Sequence, residues 1–138
     1  MRDDAFSPLT LNQQRLWFIE QLFPCSAQYN VTRAIRMRGP LRRDALKGAV
    51  QHLVCRHEVL RTSFHVQEGE PFQRINEPRD IEIPVFDLRA HRRNSNNVES
   101  LLHRQLSDEG RRAFDLTEDT MLRAALYQID DDEHVLQV

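Results

Sequence analysis

"MLRAALYQIDDDEHVLQV", residues 121–138, holds two apolar runs separated by the acids Asp130 to Glu133. The first run, Met121 to Ile129, is apolar on both faces at its centre, the pattern of a strand covered on each side. The second, His134 to Val138, reads as another strand launched by the acidic turn. A terminal strand usually closes on polar or turn-forming residues that return the backbone to water. Here the apolar pattern runs to Val138 without such a signal.

Working outward, helical and strand patterns alternate irregularly. A helix is expected from Leu11 to Phe23, opened by a Thr10/Gln13 capping box and stopped by Pro24. Leu11, Leu16, Trp17, Phe18, Ile19, Leu22 and Phe23 cover a wide arc, which predicts a well-buried helix. Tyr29 to Arg38 alternates as a strand, with Tyr29, Val31, Ile35 and Met37 on one face, and Gly39-Pro40 breaks it. A second helix is expected over Arg43–Leu60 with Leu46, Val50, Leu53, His57 and Leu60 as its core stripe. "TSFHV" and "PFQRI" flank Glu68-Gly69-Glu70 as a hairpin, and a short strand follows near Ile83 to Phe86. A third helix over Val98–Ala113 turns Val98, Leu101, Leu102 and Leu106 inward. This order predicts an α/β sandwich with a mixed sheet. No repeat or low-complexity segment marks a domain boundary.

The chain has 138 residues, 40% of them hydrophobic and 29% charged, with a formal net charge of -2. That suits one domain with a sizeable core. It supplies no field for nucleic acid or an anionic membrane, and the basic run Arg89–Arg93 reads as a solvated loop. No apolar stretch approaches the length of a bilayer span, and the start "MRDDAFSPLT" lacks a signal-peptide core. Two cysteines, Cys25 and Cys55, suit a reducing compartment, so a cytoplasmic protein is expected. Asn30-Val31-Thr32 matches the glycosylation pattern by chance on this reading.

Chemistry-bearing patterns are few. In "RHEVLRTSF" (56–64), His57-Glu58 begins like a helical zinc signature, but Arg61 stands where the second histidine belongs. Cys55 and His57 point to different sides of a helix. No metal site is expected. The four glycines make no phosphate cradle, and no G-x-S-x-G elbow exists. Glu109 with His103 or Asp115 has only spacing to recommend it as an acid and base. His57 reads as a core histidine satisfied by a hydrogen bond. Arg61, at the end of an apolar stripe, is expected to be drawn inward, where a guanidinium needs a carboxylate or several carbonyls. Glu58 is the local partner.

Four strings together resemble one family, the condensation domains of nonribosomal peptide synthetases. "PLTLNQQRLWFIEQL" (8–22) resembles the opening motif S-x-A-Q-x-R-L-W. Gln13, Arg15, Leu16 and Trp17 match, while Thr10 and Asn12 replace the usual Ser and Ala. "YNVTRAIRMRGPL" (29–41) resembles the following strand. "RHEVLRTSF" matches the second motif throughout, in a form most like domains that join two L-configured residues. "FDLTEDTMLRAALYQIDDDEHVLQV" (114–138) resembles the approach to the third motif, with Thr120 where proline is common.

The resemblance implies a chloramphenicol acetyltransferase-like α/β sandwich with a mixed sheet, of which residues 1–138 are the N-terminal half-domain. It implies amide formation between an acyl or peptidyl thioester and an aminoacyl thioester, both presented on carrier domains. The chain would need no cofactor of its own, since phosphopantetheine would arrive on the carriers. The partners implied are peptidyl or acyl carrier domains and a C-terminal half of the domain. Gln13, Arg15, Trp17, Arg56, His57, Glu58 and Arg61 carry over as structural motif residues, with Arg61 expected to pair with the Asp of H-H-x-x-x-D-G. That motif is absent from the sequence, so the chain is expected to stop shortly before its catalytic centre and to be inactive alone. Other readings are a carrier-binding module without catalysis and a complementing half of a split acyltransferase. An uncovered final strand, with unpaired backbone and exposed apolar side chains, is also expected.

Overall fold

The computed structural model describes residues 6–24, 26–91 and 95–138. Cys25 and the Arg92-Arg93 part of the basic run lie outside the described residues. In chain order the elements are β1 (Phe6–Pro8), α1 (Leu11–Leu22), β2 (Ala34–Arg38), α2 (Arg43–Arg56), β3 (Thr62–Gln67) and β4 (Glu70–Ile75). They continue with β5 (Val85–Asp87), α3 (Ser95–Gly110), β6 (Ala125–Asp130) and β7 (Glu133–Gln137). Short 3-10 turns occupy Glu58–Arg61 and Arg89–His91.

The larger sheet has the order β2-β7-β6-β5, antiparallel except for the parallel β5–β6 pair, so it is mixed as expected. Alternation along β6 and β7 divides its core in two. Ala125, Tyr127, Ile129 and Val135 face α3 and pack on Val98 and Leu102, with Leu101 and Leu106 beside them. Ala124, Leu126 and Leu136 face the opposite way, toward Leu46 of α2 and Leu41. The strand pair is therefore covered on both sides, as its unbroken apolar sequence requires. Val50 and Val54 of α2 form a further cluster with Ile81.

The smaller sheet, β1-β4-β3, is a hairpin with a short added strand. Its turn is Glu68-Gly69, both at positive φ (53° and 85°), the backbone of a two-residue I′ turn that matches strand twist. Gly69 takes this conformation without a Cβ penalty.

Several expectations need correction. The α1 helix has its capping box, Thr10 Oγ1 accepting from Gln13 N and Gln13 Oε1 accepting from Thr10 N. It is not well buried, however: Leu11, Phe18 and Leu22 are 84%, 62% and 56% exposed. Only the side toward the small sheet is covered, where Trp17 lies 6.5 Å from Phe64 between ring centroids. Residues 29–33 precede β2 rather than extending it. α2 ends at Arg56, and its core line is Leu46, Val50 and Val54, a strict step of four; Leu53 is exposed. His57 caps that helix in extended backbone (φ -109°, ψ 101°), and it too is exposed. It is not a core histidine. The final strand is not uncovered either. β7 lies between β2 and β6, and Val138 exchanges both backbone hydrogen bonds with Arg33 at 2.8 and 2.9 Å.

Two outcomes follow from this packing. Val54 is fully enclosed at 0% exposure, so Val54→Ala is expected to cost about 1–3 kcal/mol, read as a fall in urea midpoint at unchanged slope. His134 is buried with Nδ1 unpartnered, and burial, followed by the charge of Arg43, holds its pKa below the usual 6.5. The unfolded chain therefore binds this proton more readily than the folded one. The stability contribution is present above the unfolded pKa and is lost as pH falls through about 6.5 and below. His134→Leu should flatten the decline in urea midpoint between about pH 7 and pH 5; an unchanged slope would contradict the assignment.

Candidate functional site

The open edge of α1, the segment 26–32, the C-terminal end of α3 and the segment 114–124 enclose a cleft of about 390 Å³. The strand ends at Ala125, Gln137 and Val138 form its remaining wall. Its surface is mainly apolar and aromatic, with Leu16, Trp17, Tyr29, Phe64, Phe114 and Met121 around a few polar groups, the composition usual for a small-molecule site.

Local chemistry fixes each wall. Asn30 Nδ2 donates to the carbonyls of Gly110 and Arg112, both at 3.0 Å, and so caps the end of α3. The same contacts tie up the Asn30 amide of the N-x-T sequence. A Cβ at Gly110 would meet Thr32 Oγ1 at 3.2 Å, so glycine permits the close approach of segment 26–32. Tyr127 Oη donates to Gln137 Oε1 at 3.0 Å, and Gln137 Nε2 donates to the Leu106 carbonyl at 2.8 Å. Burial, and then the nearby charge of Glu109, raises the Tyr127 pKa, so the phenol stays a donor.

Arg123 is a half-buried charge on the cleft lining, its side chain 21% exposed. One terminal nitrogen donates to the Arg112 and Ala113 carbonyls at 2.9 and 2.8 Å, and the guanidinium lies 3.7 Å from the centre of the Phe114 ring. Nε and the other terminal nitrogen have no hydrogen-bond acceptor. The nearest carboxylate, Glu109, is 3.8 Å away and is shared with Arg112 at 3.3 Å. Burial, then repulsion from Arg112, lowers the Arg123 pKa, with Asp119 and Glu109 opposing. Glu109 thus serves two arginines, and the spacing-based pairing with His103 or Asp115 is not formed.

The motif residues separate into two groups. Gln13 and Trp17 line the cleft, and Gln13 Nε2 reaches Gln73 Oε1 at 2.9 Å. Arg15 is on the exposed side of α1. Arg56, His57, Glu58 and Arg61 lie outside the cleft lining, at the end of α2 and in the turn after it. Arg61 is drawn inward as expected, its side chain 15% exposed. Its partners are the Asn76 carbonyl at 2.6 Å and, more loosely, Glu58 at 3.4 Å, while Nε lacks an acceptor. Asn76 returns two bonds to the Arg61 carbonyl, from N at 3.0 Å and Nδ2 at 3.1 Å. This reciprocal clamp closes the base of the β3–β4 hairpin. Asn76 Nδ2 also meets Ser63 Oγ at 2.9 Å, and Ser63 in turn contacts His65 Nε2 at 2.8 Å. Among the described residues no group of three or more His, Cys, Asp or Glu could hold a metal ion. Sequence reasoning overlooked Arg123, although an arginine inside the apolar run "MLRAAL" is the signal of a charge carried into a core.

Residues 4–138 match the Condensation domain family. The chain belongs to that family. It is 37% identical over 134 residues to the phosphinothricin tripeptide synthetase PhsC of Streptomyces viridochromogenes, covering 97% of this chain and 12% of the relative. It is 40% identical over 134 residues to the isonitrile lipopeptide synthase of Mycobacterium tuberculosis, covering 96% and 5%. Among solved structures, the starter condensation domain of rhizomide synthetase RzmA superposes with TM-score 0.83 at 20% identity, over 96% of this chain and 31% of that one. The first condensation domain of the CDA synthetase gives TM-score 0.83 at 20% identity, over 98% and 35%. The fold is therefore the chloramphenicol acetyltransferase-like fold of condensation domains. The chain spans about a third of the solved domains it matches and a small fraction of the synthetases.

Within this condensation-family fold, the Arg61–Asn76 clamp can be tested directly. Asn76→Ala removes the Nδ2 donations to the Arg61 carbonyl and to Ser63, which keep Asn76 N and His65 Nε2 as their remaining partners, and is expected to cost about 1 kcal/mol. Thermal unfolding measures it, and a change within error would show that the clamp is incidental.

Proposed function

We propose that this chain forms the N-terminal part of an amide-forming condensation domain in a nonribosomal peptide synthetase, and that the 138 residues alone do not catalyse the reaction. The amine nitrogen of an acceptor aminoacyl thioester attacks the carbonyl carbon of a donor acyl thioester. A C–N bond forms, the C–S bond breaks, and the amine proton ends on the departing thiol. Both thioesters are carried on phosphopantetheine arms of carrier domains, and the chain needs no cofactor of its own. The observation that carries the reading is the family match over residues 4–138 in a sequence with no adjacent histidine pair.

Geometry supports the same assignment. The end of β7, at Gln137 and Val138, belongs to the cleft wall. In the family this strand leads into the motif H-H-x-x-x-D-G, so an imidazole following it would arrive beside an apolar space suited to bound reactants. The chain's own contribution is to confine the reactants and exclude water while charge develops at the tetrahedral carbon. Arg61, with an unpartnered Nε, remains able to receive the aspartate of that motif. Among the described residues no helix is long and apolar enough to cross a membrane. A cytoplasmic setting belongs to the same reading, and there the free, exposed thiol of Cys55 would stay reduced.

The decisive assay supplies two loaded carrier proteins and follows amide product by mass spectrometry. The 138-residue chain should give none, whereas the chain joined to a C-terminal segment bearing the histidine motif should give product. Turnover by the chain alone overturns the reading.

A further inference from the structure

We propose that the 390 Å³ cleft selects thioesters bearing a neutral, apolar side chain and disfavours charged ones. This rests on the amide-forming reading and names the substrate class of the same site.

Four aromatic side chains line the space: Trp17, Tyr29, Phe64 and Phe114. Trp17 and Phe64 lie 6.5 Å apart, and Phe114 is stacked on the Arg123 guanidinium at 3.7 Å. Such walls reward an apolar guest by removing its surface from water. The charges lining the cleft are of both signs: Glu20 and Glu109 against Arg123. A guest ion of either sign therefore meets a like charge while losing its hydration. The obvious counter-ions are already engaged. Glu109 stands 3.3 Å from Arg112 and 3.8 Å from Arg123; one Arg123 nitrogen is filled by two carbonyls, and the two without acceptors are buried in protein rather than open to the cleft. A neutral side chain incurs none of these costs.

The chain has one tryptophan, Trp17, and it lines the cleft, so its fluorescence reports occupancy. The 138-residue chain is titrated with N-acetylated leucyl, glutamyl and lysyl thioesters of N-acetylcysteamine, which differ only in the side chain. The leucyl compound should shift Trp17 emission saturably and bind at least about tenfold tighter than either charged compound. Val31 lies on the lining and is 80% exposed, so Val31→Glu should spare the fold. It should weaken leucyl binding about tenfold, with an unchanged melting temperature as the control. Equal affinities for the three compounds, or no saturable shift with any, overturn the proposal. If the extended domain forms amides without side-chain preference, selection fails while the amide-forming reading stands. If the extended domain forms none, the reading itself falls.

Discussion

Strands β6 and β7 hold together only because both of their faces are kept from water. From Ala124 to Ile129 every residue is buried, as are His134 to Gln137. A strand pair of this kind has no solvent face, so helices must be supplied on each side. Alternation sends Tyr127, Ile129 and Val135 into α3, and Leu126 and Leu136 toward α2. Two of the buried polar side chains in this layer are committed to specific partners, whereas His134 leaves Nδ1 unpaired. Gln137 accepts from Tyr127 and donates to the Leu106 carbonyl, and Gln128 accepts from Arg43. These contacts fix both the strand register and the height at which α3 ends, because an unpaired amide here would forfeit its hydration without return.

The same constraint creates the cleft. Where α3 stops at Gly110, the sheet continues, and the chain must cross the gap through residues 111–124 before entering β6. Asn30 and Arg123 hold that crossing by hydrogen-bonding the carbonyls of Gly110, Arg112 and Ala113. Neither side chain reaches deep into the helix core. Both brace the exit of α3, sharing the Arg112 carbonyl, and the unfilled space between that exit and α1 is the cleft. Its aromatic walls thus follow from the need to span the end of a doubly covered sheet.

What the sequence made legible was whatever depended on neighbours a few residues away. The capping box at Thr10 and Gln13, the Glu68-Gly69 turn and the stripe Val98, Leu102 and Leu106 on α3 are local patterns, and each forms as read. Burial of α1 was not local information. Its apolar arc is real, but whether Phe18 and Leu22 meet protein or water depends on what stands opposite them. His57 was misplaced for a different reason: α2 ends one residue earlier, so the helical stripe no longer applies at position 57. β1 escaped notice because three residues with a proline carry no period. Of the cleft, Gln13 and Trp17 were marked through motif resemblance, whereas Phe114 and Arg123 lay only within a matched string, with no role attached to either. Their stacking joins the two ends of an irregular segment that periodicity cannot address.

Arg61 and Arg123 are instructive as a pair, because each is drawn inward and neither meets a full carboxylate partner. Each guanidinium instead donates to backbone carbonyls, Asn76 for one and Arg112 with Ala113 for the other, while Nε of each lacks an acceptor. Carbonyl dipoles orient a guanidinium without neutralising it, so a positive charge is retained at low exposure. For Arg61, outside the cleft, the amide-forming reading supplies a carboxylate. For Arg123, inside it, the charge sits 3.8 Å from Glu109 on a lining that also carries Glu20, leaving an ionic guest no uniformly favourable environment. Two arginines held by similar bonds thus acquire different consequences from where they sit, one closing a hairpin and the other setting the character of a cavity.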